Sequence, residues 1–394
     1  MRVAIIGAGI GGLYAAYKLS SSSVDDVEKI DVFEKAAHVG GRVRTVGFGG
    51  MIVEAGAGRV RSTDRLLLKL AEELGIELVD TGGVRNAYYR DGKLVSRRSS
   101  LSLAAVLNDV ADVRKDATVT LDAWLRDRYD GTVVDDVVHE AGYDSCFEKA
   151  NALDGYDQLS RIANVPGFFR AVGGMSTFVQ RLLVRLSTDK RVSIHLNAPV
   201  READVRRFCE TYDHVLATVT APDLTELDVS SASVGSPLTR VYARFDPADV
   251  AKDDFISKIG HATCNSPVRQ FIPIDAKKGI VMASYCTDRW ASNWLQPMTK
   301  RTLKRVLAKR LSAAFGREIP EPVEVDVHAW RVGAHSWGVS RESGRGSVDK
   351  TFAHPYGKRF RVCGEVASVK NHGWIEGALD SVEREVRSIV GRHL

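Results

Sequence analysis

Near its start the chain reads Val3-Ala4-Ile5-Ile6-Gly7-Ala8-Gly9-Ile10-Gly11-Gly12. The first four residues form an uninterrupted apolar run, which is typical of a parallel strand that is buried on both faces. Gly7, Gly9 and Gly12 then give the spacing G-x-G-x-x-G, and apolar residues recur at helical spacing from Leu13 onwards. This order of strand, glycine turn and helix predicts the opening of a βαβ unit.

The glycines of this loop, which also include Gly11, indicate a site for phosphate groups. Gly7 allows the tight turn, Gly9 lets a pyrophosphate approach the backbone, and Gly12 permits close packing of helix against strand. The N-terminus of the helix presents free N–H groups and a positive dipole end to the phosphates. Glu34 ends the next strand, where a carboxylate can accept hydrogen bonds from a ribose 2′-hydroxyl. We therefore predict a dinucleotide site that disfavours a 2′-phosphate.

Composition excludes several other classes of protein. The chain has 394 residues, 44% hydrophobic and 27% charged, which is typical of a soluble globular protein of about two domains. Its net charge of +5 is dispersed, and no apolar run is long enough to span a membrane, so we expect no nucleic-acid or membrane role. The five cysteines lie far apart without a C-x-x-C pair, and no signal peptide is evident. These features favour a reducing, cytoplasmic location and no metal site.

A second motif follows Glu34 and reads His38-Val39-Gly40-Gly41-Arg42-Val43-Arg44-Thr45. Here the sequence resembles the flavin-containing amine oxidase superfamily, which includes monoamine, polyamine and L-amino-acid oxidases and protoporphyrinogen oxidase. The resemblance implies that Gly41 and Arg42 run along the pyrophosphate of FAD, with the arginine offsetting its charge. The loop Lys370–Gly373 has no cysteine where monoamine oxidases attach their flavin. We therefore expect FAD to be bound noncovalently.

Further segments extend the resemblance in the family's order over nearly the whole chain. Glu54–Arg59 is similar to the segment that passes the flavin ring, and Pro199-Val200 is similar to the segment that holds the adenine. Cys363–Glu365 and Gly373–Ala378 resemble the signature that closes over the isoalloxazine. The cofactor contacts implied by these segments are Gly58, Arg59, Val200, Gly364, Glu365, Trp374 and Ala378.

Four residues are candidates for contact with the substrate. Trp374 stands where related amine oxidases carry one aromatic wall of a substrate cage, and Trp337 is a candidate for the opposite wall; each could instead be a buried structural tryptophan. Arg59 resembles the arginine with which L-amino-acid oxidases bind the substrate carboxylate, or it could pair with the cofactor. Arg240 replaces a lysine that holds a water at flavin N5 in the family, and it could hold a water, bind an anion or block the site.

The predicted fold is a two-domain α/β flavoprotein. A Rossmann-type FAD domain would comprise 1–60, 165–235 and 355–394, and a mixed α+β substrate domain would comprise 61–164 and 236–354. The expected reaction is oxidation of a C–N bond of an amine or amino acid by hydride transfer to flavin N5. Oxygen would then reoxidise the flavin and form peroxide. The alternatives are an enzyme like protoporphyrinogen oxidase or a desaturase, a structural flavoprotein, and, less favoured, an NAD-dependent dehydrogenase.

Overall fold

The computed structural model describes residues 1–21, 27–82, 87–95, 118–339 and 352–391. The strands of these residues are β1 (Arg2–Ile6), β2 (Lys29–Phe33), β3 (Thr45–Phe48), β4 (Met51–Glu54), β5 (Val60–Arg61), β6 (Leu78–Asp80), β7 (Ala87–Arg90), β8 (Lys93–Leu94), β9 (Phe168–Ala171), β10 (Val192–His195), β11 (His214–Ala217), β12 (Ser230–Ser231), β13 (Ser233–Arg244), β14 (Ala262–Cys264), β15 (Gln270–Asp275), β16 (Ile280–Thr287), β17 (Glu324–Trp337), β18 (Phe352–Ala353) and β19 (Phe360–Val362).

The α-helices of the same residues are α1 (Ile10–Ser21), α2 (Arg65–Glu73), α3 (Leu121–Arg126), α4 (Gly131–Ala141), α5 (Ser145–Glu148), α6 (Ala152–Ala163), α7 (Ser176–Ser187), α8 (Glu202–Thr211), α9 (Ala221–Glu226), α10 (Pro247–Asp253), α11 (Phe255–Ile259), α12 (Asp288–Ser292), α13 (Lys300–Phe315) and α14 (Ile375–Val390). None of them is both long enough and apolar enough to cross a membrane.

The first sheet is parallel and has the strand order β10-β2-β1-β11-β19. Its central strand β1 is covered on both faces, as the apolar run predicts. Val3 and Ile5 contribute to the core that includes α1, α7 and α14, whereas Ala4 and Ile6 contribute to the core that includes α8 and α9. The predicted α/β fold of Rossmann type is thereby confirmed.

The second sheet has seven strands in the order β17-β13-β16-β15-β14-β7-β8. Its pairs are antiparallel except for β14 with β7, which is parallel. One face of this sheet packs on α13 through a core that includes Phe245, Phe271 and Leu311. The mixed second layer of the predicted fold is therefore also present, while the exact domain boundaries stay a prediction.

A cluster of short helices, α3 to α6, has its own small apolar core and is tied to the second sheet by a buried ion pair. The guanidinium Nε of Arg269 lies 2.8 Å from Oδ2 of Asp144, and both side chains are fully buried. Arg269 also donates to the carbonyl oxygen of Val138, and Trp290 donates to Asp144. Because each charge has hydrogen-bonding partners, the pair is satisfied within the protein.

The structure departs from the sequence-based expectations in two places, one helix start and one strand. The pattern of 62–75 predicts a helix capped by Ser62 or Thr63, but α2 begins later, after Asp64. The carboxylate of Glu376 accepts the N–H groups of Leu66 and Leu67, so a distant residue satisfies the helix N-terminus in place of a local cap. The long strand β17 was not predicted, because exposed and half-buried residues alternate irregularly along it.

Candidate active site

The glycine loop has the geometry that its spacing predicts. Gly7 has φ of +98° and donates its N–H to the carbonyl oxygen of Phe33 at 2.7 Å, which joins the turn to the end of β2. A Cβ on Gly12 would overlap the carbonyl oxygen of Gly7, whereas a Cβ on Gly9 would meet no atom within 4 Å. The loop is therefore closed on its helix side and open at Gly9, where a ligand can approach the backbone.

Glu34 is fixed at the end of β2 by two backbone donors. Its carboxylate oxygens accept hydrogen bonds from the N–H of Ala8 at 2.8 Å and the N–H of Ala36 at 2.9 Å. The segment before Val200 lies beside it, since the N–H of Ala198 donates to the carbonyl oxygen of Glu34 at 2.9 Å. The structure thus brings the predicted ribose-binding and adenine-binding residues to the same edge of the sheet.

Three distant segments meet at the glycine loop. Gly41 has φ of +55°, and a Cβ there would lie 3.3 Å from the Cα of Gly9. On the other side, a Cβ on Gly11 would lie 3.4 Å from the Cα of Gly364 and 3.8 Å from the Cβ of Ala378. The implied cofactor contacts therefore surround one loop, although they come from the beginning and the end of the chain.

Glu365 is the centre of a buried polar network and is only 8% exposed. It accepts hydrogen bonds from the backbone N–H of His335 at 2.9 Å and of Gly373 at 2.7 Å, and it pairs with Nη1 of Arg42 at 2.9 Å. Burial opposes ionisation, but His335 and Arg42 outweigh it and hold the pKa of Glu365 well below its usual range. Glu365 is thus a carboxylate, and Arg42 already has a protein partner.

His335 supports this carboxylate and is held by hydrogen bonds at both of its ring nitrogens. Its Nδ1 contacts Glu365, while its Nε2 lies 3.1 Å from the N–H of Ala221, which it can accept only without a proton. Burial lowers the pKa of the imidazole. The neutral tautomer with its proton on Nδ1 satisfies both contacts and fixes the ring in place.

The segment Glu54–Arg59 lies against the second sheet. The carbonyl oxygen of Glu54 accepts hydrogen bonds from Nη1 of Arg240 at 3.0 Å and from the hydroxyl of Tyr242 at 2.7 Å. A Cβ on Gly58 would lie 2.9 Å from Nη1 of Arg240, so the glycine makes room for the guanidinium. Arg240 therefore lies beside the segment that, by resemblance, passes the flavin ring.

Arg59 is exposed and belongs to a row of arginine and aromatic side chains. Its Nη2 donates to the hydroxyl of Tyr143 at 3.2 Å, and its Cζ lies 4.4 Å from the ring centroid of Phe168. Phe168 in turn stacks on Trp374 with centroids 6.2 Å apart. Arg61 lies over the Trp374 ring at 4.3 Å, so one face of the predicted cage wall is occupied by a protein cation.

Trp337 has a different environment from Trp374. It is 2% exposed, and its ring packs edge-on against His372 with centroids 4.9 Å apart and lies 6.3 Å from that of Phe352. Its backbone N–H donates to Asp154 at 2.7 Å. An enclosed ring presents no open face to a ligand, so this placement favours the structural alternative for Trp337.

Sequence reasoning did not identify Tyr143, Phe168 or Arg61 as members of this site. Phe168 is placed beside Arg61 by the pairing of β5 with β9, in which these two residues are register partners. Tyr143 comes from the loop between α4 and α5. No local motif marks these residues, because their relevance depends on long-range pairing.

Comparisons with known proteins agree with this geometry. The sequence matches the family described as flavin containing amine oxidoreductase over residues 10–130 and 137–390. Mouse L-amino-acid oxidase is 27% identical over 96% of this chain and 69% of its own length. Mouse prenylcysteine oxidase 1 is 39% identical over 99 residues, which are 25% of this chain and 19% of that protein.

A solved structure of putrescine oxidase bound to putrescine has the same fold. Its TM-score is 0.72 at 16% identity, and the match covers 100% of both chains. At this identity the likeness concerns the fold alone. The family match extends over most of the sequence, and we conclude that the chain belongs to the flavin containing amine oxidoreductase family.

Proposed function

We propose that this protein is an FAD-dependent oxidase that removes a hydride from the α-carbon of an amine bearing a carboxylate, with oxygen as the electron acceptor and peroxide as a product. The observation that carries the proposal is the environment of Arg59. Its guanidinium is exposed, is oriented by Tyr143 and Phe168, and forms no ion pair with a carboxylate of the described residues. A free guanidinium in this position suits a substrate carboxylate, which it can bind through two parallel hydrogen bonds.

The residues present fit a bound FAD. The backbone is open at Gly9, the carboxylate of Glu34 is fixed by two N–H groups, and the ionised Glu365 lies beside Gly364, which has φ of +91°. Gly11, Gly41 and Ala378 provide small surfaces around the same loop. We propose that these residues hold FAD noncovalently. The cofactor would supply the two-electron acceptor.

The remaining work of the site is orientation and exclusion of water. Arg59 would fix the carboxylate and thereby the α-carbon, while the stacked rings of Phe168 and Trp374 would cover the substrate. The amine must be uncharged when its α-hydrogen leaves as hydride, and the nearby Arg240 disfavours the protonated form. We name no acid–base pair, since none is required by this reaction.

The test compares peroxide release by purified holoprotein with L-amino acids, simple amines and polyamines. Arg59→Met should raise KM for an L-amino acid by about tenfold or more, because a charge-assisted hydrogen bond contributes about 1.5–3 kcal/mol. The KM for simple amines should be unchanged in this variant. Arg170→Met is the matched control, since it removes an exposed arginine two residues beyond Phe168 on β9. Oxidation of spermidine with no oxidation of any L-amino acid would refute the carboxylate proposal.

Arg240 supports one second candidate, a flavoprotein whose catalysis has been lost. A guanidinium at the family's lysine position is held by the carbonyl oxygen of Glu54 and could obstruct the reaction. The wild-type protein would then bind FAD and oxidise no amine, while Arg240→Lys would release peroxide. That pair of results would favour a structural flavoprotein that has lost its catalysis.

A further inference from the structure

Two arginines from different parts of the fold flank one pair of tyrosines. The rings of Tyr143 and Tyr285 meet edge to face with centroids 6.1 Å apart. Arg59 donates to the hydroxyl of Tyr143, and the Cζ of Arg240 lies 5.0 Å from the ring centroid of Tyr285. Burial raises the pKa of Tyr285, so this phenol is neutral near pH 7 and can donate a hydrogen bond.

The backbone of Arg59 lies close to the guanidinium of Arg240. A Cβ on Gly58 would lie 2.9 Å from Nη1 of Arg240, and Gly58 directly precedes Arg59. This nitrogen is therefore within about 8 Å of the Arg59 Cα, because consecutive Cα atoms are 3.8 Å apart. The Arg59 guanidinium reaches Tyr143, the Arg240 guanidinium lies over Tyr285, and the two rings are in contact, so one small molecule could contact both charges.

Both charges lack a carboxylate partner within the described ranges, unlike other arginines nearby. Arg61 pairs with Asp64, and Arg42 pairs with Glu365. The carboxylate of Glu54 attracts Arg240 electrostatically but forms no ion pair with it in the described residues. It is hydrogen-bonded instead to Thr45 and to the N–H of Met175, and burial raises its pKa. Two guanidiniums without an ion pair among the described residues therefore lie at one tyrosine pair.

Arg240 has unused hydrogen-bonding capacity. Within the described residues its Nη1 donates to the carbonyl oxygen of Glu54 at 3.0 Å, and the side chains of Tyr242 and Tyr285 also interact with the guanidinium. Its Nε is buried and has no partner there. An anion at Arg240 would compensate the charge, which a carbonyl oxygen does only in part.

We propose that Arg59 and Arg240 bind the two carboxylates of a dianionic amine, so that the substrate class is an amino dicarboxylate of the aspartate or glutamate type. This inference rests on the proposed function for the amine and extends it to a second carboxylate. Tyr143 and Tyr285 would form the polar floor between the two ends. A neutral amino acid would leave one guanidinium without an anion, and a polyamine would be repelled by both.

The first test is equilibrium binding to the holoprotein, which does not require turnover. Glutarate carries two carboxylates, and its monoamide glutaramate is nearly the same size with one charge removed. Isothermal titration should show that wild-type holoprotein binds glutarate at least tenfold more tightly than glutaramate. Arg240→Met should abolish this preference, whereas the exposed-site control Arg170→Met should retain it. Equal affinities for the two probes in wild type would overturn the inference.

Flavin content and near-ultraviolet circular dichroism show whether Arg240→Met is folded. Tyr285→Phe provides a second, milder variant, because it removes one hydroxyl and keeps the ring under Arg240. We expect it to weaken glutarate binding severalfold with the fold intact. Unchanged glutarate binding in both variants would mean that the second carboxylate does not bind at Arg240.

Turnover separates this inference from the proposed function. The inference predicts kcat/KM at least tenfold higher for L-glutamate than for L-glutamine, or for L-aspartate than for L-asparagine. Oxidation of neutral amino acids without any preference for glutarate would overturn the dianion site and leave the proposed function standing. Glutarate binding that depends on Arg240, with no amine oxidised, would support the site and refute the proposed function.

Discussion

Asp288 is a buried carboxylic acid whose burial is only partly compensated, and this makes protein stability depend on pH in a specific way. The residue is 4% exposed, and neither carboxylate oxygen has a hydrogen-bond partner among the described residues. Burial, together with Glu148 and Asp144, raises its pKa from 3.8 to about 7, against the opposing effect of Lys149. We predict that Asp288→Asn stabilises the protein at alkaline pH.

The sign and size of the effect follow from proton linkage. Between about pH 4 and pH 7 the folded state keeps a proton that the unfolded state releases. The free energy of unfolding is therefore highest below about pH 4 and decreases progressively until pH has risen through 7. A shift of about three units corresponds to about 4 kcal/mol. Asparagine has nearly the same shape and no charge, so the variant should match wild type near pH 4 and exceed it by up to about 4 kcal/mol at pH 8.

Urea denaturation of both proteins at pH 5 and pH 8 measures the difference. Asp254→Asn is the matched control, because Asp254 also has a positive φ, +44° against +50° for Asp288, but is exposed. The control should change stability equally at both pH values. If Asp288→Asn gains no more at pH 8 than at pH 5, the carboxylate is not held protonated by burial and the reasoning is refuted.

Three further substitutions test the fold and the site. Arg269→Met should cost about 3–5 kcal/mol in urea denaturation, since it leaves Asp144 as a buried charge without its cation. Gly12→Ala should lose flavin, measured by the ratio of absorbance at the flavin band to that of protein, because a Cβ would overlap the Gly7 carbonyl oxygen. Trp374→Ala should raise KM with flavin content retained, whereas Trp337→Ala should lower thermal stability, because its ring is enclosed.

Local sequence was sufficient where one segment determines its own structure. The unit β1-α1-β2 could be predicted because an apolar strand, a glycine turn and a helix are adjacent in the chain. Glu34 then falls at the end of β2 by spacing alone, and the structure places its carboxylate on the N–H of Ala8 in the glycine loop. These features depend on backbone geometry within 34 residues.

The rest could not be predicted because it depends on contacts between distant segments. Arg42 and Glu365 were each identified as cofactor residues by resemblance, but their ion pair joins positions 323 apart. Glu376 caps a helix 310 residues away, which no local capping signal reveals. Phe168 and Tyr143 reach Arg59 only because two strands pair and a helix cluster docks on the second sheet.

Arg240 replaces the lysine that the family pattern has at this position, and its contacts with Glu54 and Tyr285 bear on what the replacement does. A lysine ammonium is a compact point charge with three donors and no fixed fork geometry. The arginine side chain has five N–H donors in a planar fork, so one bond to Glu54 and a face over Tyr285 still leave donors for a carboxylate. The half-buried position excludes part of the water that would otherwise solvate these donors, and Nε is fully buried. These free donors support the proposal that the guanidinium of Arg240 binds an anion rather than positions a water molecule.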